Sequence, residues 1–110
     1  MSKYVSFFSY TAETWGKMIE HPGDRTAAIR ATVEAAGGTM ESLYWMTGAH
    51  DGMLILDAPD STTAAAIMVA VISSGALRTV ETHELFTQDQ LTGVLGKAGS
   101  MRSAYRAPGT

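Results

Sequence analysis

The chain has 110 residues, of which 45% are hydrophobic and 17% charged, so it suits one domain with its own core and is not a wholly disordered protein. It has no cysteine, which excludes disulfides, thiolate metal sites and cysteine nucleophiles, and which is typical of a cytoplasmic protein. The net charge is −3, but residues 97–110 carry Lys97, Arg102 and Arg106 and no acid, so the residues up to Gly96 sum to −6. Such an acidic body argues against a nucleic-acid partner.

Membrane attachment is not indicated by the sequence. The first residues lack the long apolar segment and the small-residue cleavage site of a signal peptide. The longest apolar run, residues 64–72, is too short to span a bilayer. We therefore expect a cytoplasmic protein without a membrane partner.

The first part of the chain predicts one strand and two helices. Residues 3–10 are rich in aromatic and β-branched side chains with large apolar groups on both faces, which favours a strand that is covered on both sides. Thr11 can cap a short helix over about residues 12–20. Asp24 can cap a second helix, which ends near the Gly37-Gly38 pair.

The middle of the chain predicts a hairpin and a third helix. Residues 39–47 and 53–58 are interpreted as strands, and the short turn Gly48-Ala49-His50-Asp51-Gly52 between them predicts antiparallel pairing. Pro59 stops the second of these strands, and Asp60 can cap the helix that follows. Apolar residues at helical spacing give that helix a core face: Ala64, Ile67, Met68, Val71 and Ile72.

The last part of the chain predicts a strand, a short helix and a tail. Residues 77–86 form the fourth strand, and Thr87 with Gln90 makes a capping box. The helix that follows is expected to extend about two turns and to end near Gly96. We therefore expect a single domain over residues 1–96 and a flexible tail over residues 97–110.

The order β-α-β-β-α-β with a C-terminal helical extension predicts an α+β, ferredoxin-like domain with a four-stranded antiparallel sheet. Right-handed crossovers place the helices on one face of that sheet. On the second strand, alternation predicts Met40 and Tyr44 on one face and Leu43 and Trp45 on the other. Apolar groups on both faces predict a second sheet as the cover, so we expect a homodimer or a larger homo-oligomer.

Short motifs along the chain resemble a known family. They are Tyr4-Val5, Tyr10-Thr11, Gly37-Gly38, Tyr44 with Gly48 and Asp51, Asp57-Ala58-Pro59-Asp60, and Arg78-Thr79. On these residues the chain resembles the GYD family, small bacterial and archaeal proteins named for a Gly-Tyr-Asp-like motif, with His50 where the tyrosine is usual. The resemblance implies the architecture of a dimeric α+β barrel and assigns no activity.

The best candidates for catalysis are His50 and Asp51. An imidazole can serve as a general base near neutral pH, and a neighbouring carboxylate can orient it. Consecutive residues of a strand point to opposite faces, however, so a direct pair needs an irregular turn. The alternative, which we favour, is that Asp51 caps the turn through backbone N–H groups and that His50 is exposed.

Four further residues are candidates for ligand binding. Tyr10, Tyr44 and Trp45 belong to an aromatic-rich set that could line an apolar pocket, although a core or dimer-interface role is favoured. His83 could position a ligand or, with His50 and a carboxylate, hold a metal ion. No local spacing of metal ligands supports the metal site, so we predict no metal and no cofactor.

Three classes of function stay open from the sequence. The first, which we prefer, is a non-catalytic protein that binds a small hydrophobic or aromatic molecule between its sheet and a partner subunit. The second is a cofactor-independent enzyme that uses His50 and Asp51 for proton transfer or a monooxygenase-like reaction. The third is an assembly subunit with a purely structural role.

Overall fold

A computed structural model describes all residues, 1–110. The elements in chain order are β1 (Ser2–Tyr10), α1 (Ala12–Glu20), α2 (Arg25–Ala35), β2 (Thr39–Trp45), β3 (Gly52–Ala58), α3 (Ser61–Ile72), β4 (Leu77–Leu85), α4 (Gln88–Met101) and a short 3₁₀ turn (Arg102–Ala104). The strands form one antiparallel sheet in the order β2-β3-β1-β4. This arrangement confirms the α+β, ferredoxin-like prediction.

Every α-helix begins at the capping residue that the sequence indicates. Thr11, Asp24, Asp60 and Thr87 each accept a hydrogen bond from the backbone N–H three residues further on. At α4 the box is complete, because the Gln90 side chain also accepts from the Thr87 N–H at 2.8 Å. The bond from the Thr63 N–H stabilises the charged carboxylate of Asp60 and lowers its pKa.

The core lies between one face of the sheet and helices α2 and α3. Alternate residues of β1 point into it, and they meet alternate residues of β3 and single apolar side chains from the two helices. Its members are Tyr4, Phe8, Tyr10, Val33, Met40, Leu54, Leu56, Ala58, Ala64 and Ile67. Because both crossovers pass over this face, the opposite face has no helix against it.

The predicted alternation fails in β2, where the strand contains a bulge. The pairing with β3 shifts between Met40 and Ser42, so Glu41 is an extra residue in β2. Met40 therefore faces the core on the same side as Leu43, whereas plain alternation places it with Tyr44. The prediction for Met40 is wrong because the two-residue period assumes an unbroken ladder.

Helix α4 extends beyond its predicted end and packs against none of the other helices or strands closely enough to bury a residue. It continues to Met101 rather than ending near Gly96, because Gly96 keeps a negative φ and so does not form the left-handed stop that the prediction assumed. Residues 97–101, predicted as tail, are therefore helical. Every residue from Phe86 to Thr110 is exposed. No helix of the chain is long and apolar enough to cross a membrane.

The loop between β2 and β3 is tied to β1 and α1 by Asp51. Its carboxylate accepts the backbone N–H of Tyr10 at 2.9 Å and the indole Nε1–H of Trp15 at 3.2 Å. Its own backbone N–H donates to the carbonyl oxygen of Phe8 at 2.9 Å. The predicted turn cap is therefore wrong: the side chain bonds residues distant in sequence and fixes the loop against the first strand and helix.

Replacing Asp51 by alanine should destabilise the fold through these bonds. Because hydrogen bonds to a charged group contribute ~1.5–3 kcal/mol each and an orphaned buried N–H is costly, we expect a loss of ~2–4 kcal/mol in the free energy of unfolding. Asp51→Asn keeps an acceptor oxygen and should lose about half as much or less. Urea unfolding followed by tryptophan fluorescence measures both variants. Equal midpoints for Asp51→Ala and the wild type would contradict this role.

Candidate functional site

We call the sheet face that lies away from the helices the open face. Three rows of cross-strand neighbours define it: Leu85, Lys3, Asp57 and Thr39; His83, Val5, Ile55 and Ser42; Glu81, Phe7, Met53 and Tyr44. Its centre is the apolar group of Val5, Phe7, Met53 and Ile55, and its margins are polar. Val5 is only 8% exposed, so its neighbours already shield the middle of this surface.

Two histidines lie beside Phe7 on the open face. The ring centroid of His50 lies 5.4 Å from that of Phe7, and the ring centroid of His83 lies 6.4 Å away in an edge-on arrangement. His83 Nε2 is 3.2 Å from a carboxylate oxygen of Glu81, its neighbour on β4. The Nδ1 atom of His50 is buried and has no hydrogen-bond partner. The cluster therefore offers one acid-paired imidazole and one imidazole with a free nitrogen.

The opposite end of the open face carries an ion-pair group. The Lys3 ammonium contacts Glu41 and lies 3.3 Å from a carboxylate oxygen of Asp57. The hydrogen bond to Glu41 is the main cause that raises the pKa of Lys3, with Asp57 adding to it. Lys3 therefore stays charged, and with its two carboxylate partners the group has a net charge of −1 on this surface.

The other predicted aromatic residues lie on the helix-facing side. Tyr10 is 5% exposed and stacks on Trp45, with ring centroids 6.0 Å apart. Trp15 meets Tyr10 edge-on at 5.4 Å, and Phe8 meets Trp45 edge-on at 5.7 Å. This aromatic group closes one end of the core, and the Asp51 carboxylate lies next to it through the Trp15 indole.

The six predicted site residues are thus divided between two faces. His50, His83 and Tyr44 belong to the open face, where Tyr44 is 61% exposed. Tyr10 and Trp45 belong to the helix-facing side. Asp51 makes its side-chain bonds to Tyr10 and Trp15, not to His50, so the structure does not bring together the catalytic pair that the sequence suggests.

A partly open apolar cavity of about 60 Å³ lies between the sheet and helices α2 and α3. Eleven of its thirteen lining residues are hydrophobic, and the lining comes from β1, α2, β3, α3, the residue just before β4 and the beginning of β4. The lining is Ser6, Phe8, Tyr10, Ile29, Thr32, Val33, Leu54, Ile67, Met68, Val71, Ala76, Leu77 and Val80. Tyr10 is the one predicted ligand-binding residue that reaches it.

Ser6 is the functional candidate that the sequence interpretation missed. It is 1% exposed, and its hydroxyl lies 2.8 Å from that of Thr82 and donates to the sulfur of Met68 at 3.1 Å. A buried hydroxyl in an apolar wall can orient a ligand by a single hydrogen bond. The signal available in the sequence was a serine in the alternating row Tyr4, Ser6, Phe8 and Tyr10, whose other members are all aromatic.

No three side chains of histidine, aspartate or glutamate come together in a group that could hold a metal ion.

Comparison with solved structures shows the same fold in two proteins of low sequence identity. MtbAldR matches with a TM-score of 0.57 and 14% identity. The match covers 79% of this chain and only 54% of the MtbAldR chain. The protein TTHA0845 from Thermus thermophilus matches with a TM-score of 0.53 and 14% identity, over 79% of this chain and 95% of that one. An AsnC family transcriptional regulator from Agrobacterium tumefaciens has a TM-score of 0.49 and 19% identity, over 79% and 50% of the two chains.

These likenesses concern the fold alone, so the absence of a nucleic-acid partner stays a prediction from the acidic body. No curated protein matches the chain. The GYD domain family model matches residues 4–95, which include strands β2, β3 and β4, all but the first two residues of β1, and the first half of α4. The chain therefore belongs to the GYD domain family.

Proposed function

We propose that the chain binds a small hydrophobic or aromatic molecule with one hydrogen-bonding group. The observation that carries this proposal is the cavity between the sheet and helices α2 and α3, which is apolar except for Ser6 and Thr32. The hydroxyl of Thr32 bonds the Ala28 carbonyl oxygen at 3.1 Å, so Ser6 is the polar group best placed to meet a ligand. This cavity lies on the opposite face of the sheet from the predicted site between subunits.

The size of the cavity limits its ligand. At about 60 Å³ it is smaller than the ~150 Å³ cavity in which an engineered protein core holds benzene, so a single ring needs the wall to move. Met68 is the side chain most able to do so, because it is only partly buried and an unbranched methionine has several accessible rotamers. When Met68 turns away, its contact with Ser6 is lost, and the Ser6 hydroxyl, which keeps Thr82 as a partner, can make a further hydrogen bond to the ligand.

The open face supports self-association as part of the same proposal. Val5, Phe7, Met53 and Ile55 form an apolar centre that no helix covers, with a polar margin, which is the usual anatomy of a protein interface. A second copy offers the same surface, so a two-fold axis can pair the two centres. The ligand cavity then stays within each subunit, behind the paired sheets.

An acid–base enzyme is a second candidate, favoured by the buried and unpartnered Nδ1 of His50. Catalysis at His50 requires that a small reagent reaches its ring. Diethyl pyrocarbonate modification, mapped by mass spectrometry, compares His50 with the exposed His21 as an internal control. If His50 is catalytic, we expect it to be modified at about the rate of His21. The Ile55→Glu variant removes any cover from a second copy, so protection of His50 in a monomeric Ile55→Glu variant would eliminate this candidate.

Filling the cavity should abolish ligand binding without changing the surface. Val71 and Val69 lie on the same helix, but Val71 lines the cavity whereas Val69 is 64% exposed. We expect Val71→Phe to weaken binding of benzyl alcohol by about tenfold or more, and Val69→Phe by less than about twofold. Methyl shifts of Val33, Leu54 and Ile67 in NMR titrations report binding. No binding by the wild type, or equal binding by both variants, contradicts the proposal.

A charge in the middle of the open face should dissociate the assembly. Ile55→Glu places a carboxylate among apolar side chains, and we expect the dimer dissociation constant to rise about tenfold or more. Val69→Glu adds the same charge on the exposed side of α3 and should leave the constant unchanged within about twofold. Sedimentation equilibrium measures both variants. A wild type that stays at 11.7 kDa at high micromolar concentration would disprove pairing through the open face.

A further inference from the structure

Helix α4 has an apolar stripe with nothing packed on it. Leu91, Val94, Leu95, Ala98 and Met101 fall at i, i+3, i+4, i+7 and i+10, which is one face of a helix. None of them is buried, and Leu95 and Met101 are 59% and 61% exposed. A stripe with this spacing normally faces a core, so the chain contains a helix whose packing surface it does not itself supply.

The position of α4 explains why its own domain does not cover it. The molecule is 58 Å long but 34 and 23 Å across, and its radius of gyration is 17.7 Å, against ~13 Å for a compact domain of this length. A helix of fourteen residues is ~21 Å long, which accounts for the extra length. The helix therefore projects from the end of β4 instead of lying across the sheet.

The helix also depends on packing for its stability. It contains Gly93, Gly96 and Gly99, and each has open space where a Cβ would lie, so none of them is needed for a close contact within the chain. Glycine is among the poorest helix formers, and an isolated helix of this length is marginal even with good ones. The capping box fixes where α4 begins, but the rest of the helix is stable only if its apolar stripe packs against an apolar surface.

The exposed area indicates a partner for this surface, and the charge indicates that the partner is a second copy of this chain. The chain exposes 7466 Å², whereas a compact monomer of 11.7 kDa exposes ~5,900 Å², and the excess is larger than the ~800 Å² that each partner buries in a standard interface. The second half of α4 and the segment after it carry Lys97, Arg102 and Arg106 with no acid, while residues 1–86 carry five basic and ten acidic side chains and sum to −5. A basic arm and an acidic body on one molecule are complementary between two copies.

We propose that α4 is an exchanged arm, which packs its apolar stripe on the acidic body, residues 1–86, of a second copy. The inference does not rest on the proposed ligand, and it concerns a surface separate from the open face. Two-fold symmetry gives each body one arm from its partner, so the contact is made twice in a dimer. Each arm then buries the stripe and places its three basic side chains near the partner's acids.

The first experiment replaces the stripe in the full-length chain and compares it with a charge-matched control. Leu91→Glu/Leu95→Glu should raise the dissociation constant by about tenfold or more in sedimentation equilibrium. Thr92→Glu/Ser100→Glu adds the same two charges away from the stripe and should change the constant by less than about threefold. A monomeric wild type, no effect of either pair, or an equal effect of both would overturn the proposal.

The second experiment does not depend on how well the charged variants fold. A photo-reactive benzoylphenylalanine at position 101, which is exposed, is activated in a mixture of ¹⁴N- and ¹⁵N-labelled chains. Cross-links of mixed isotopic mass to residues 1–86 are the expected result. Cross-links within one chain only would show that the arm folds back on its own body and would overturn the proposal. Mixed-mass cross-links that persist in Ile55→Glu would separate this contact from the open face.

Discussion

The structure depends on one topological constraint, which is that both helical crossovers pass over the same face of the sheet. Right-handed connections in a β-α-β-β-α-β chain allow no other arrangement. β1 lies in the middle, bonded to β3 on one side and β4 on the other, so its alternate residues face different environments. Phe8 lies in the helical core and Phe7 on the open face, and this single step along β1 separates the two candidate sites.

That separation decides which residues can contact the same bound molecule. The histidines beside Phe7 and the apolar cavity beside Phe8 lie on opposite sides of the sheet, so one bound molecule cannot touch both. Asp51 belongs to the cavity side through its bonds to Tyr10 and Trp15, which leaves His50 without the carboxylate that would orient it. A binding role therefore uses residues that the fold brings together, whereas the enzyme needs His50 to act without that partner.

The sequence predicted what depends on neighbours along the chain and failed where distant residues decide. Caps at Thr11, Asp24, Asp60 and Thr87 are local, and all four are found. The bulge at Glu41 depends on how β2 pairs with β3. The role of Asp51 depends on Tyr10 and Trp15, which are 41 and 36 positions away in the sequence. The cavity was missed for the same reason, because the Ser6 hydroxyl is placed by contacts with Met68 and Thr82, which are distant in the sequence.

The same constraint leaves α4 without a surface of its own chain to pack against. Helices α2 and α3 already fill the covered face, and the open face, which would be the remaining apolar surface, is not where α4 lies. The chain therefore ends up with two uncovered apolar surfaces, one flat and one helical. A single unrelated partner would need to match both surfaces, whereas in the proposed dimer a second copy would pair its own flat surface with this one and bind the arm on its body. Two-fold pairing is the simplest arrangement that covers both surfaces at once.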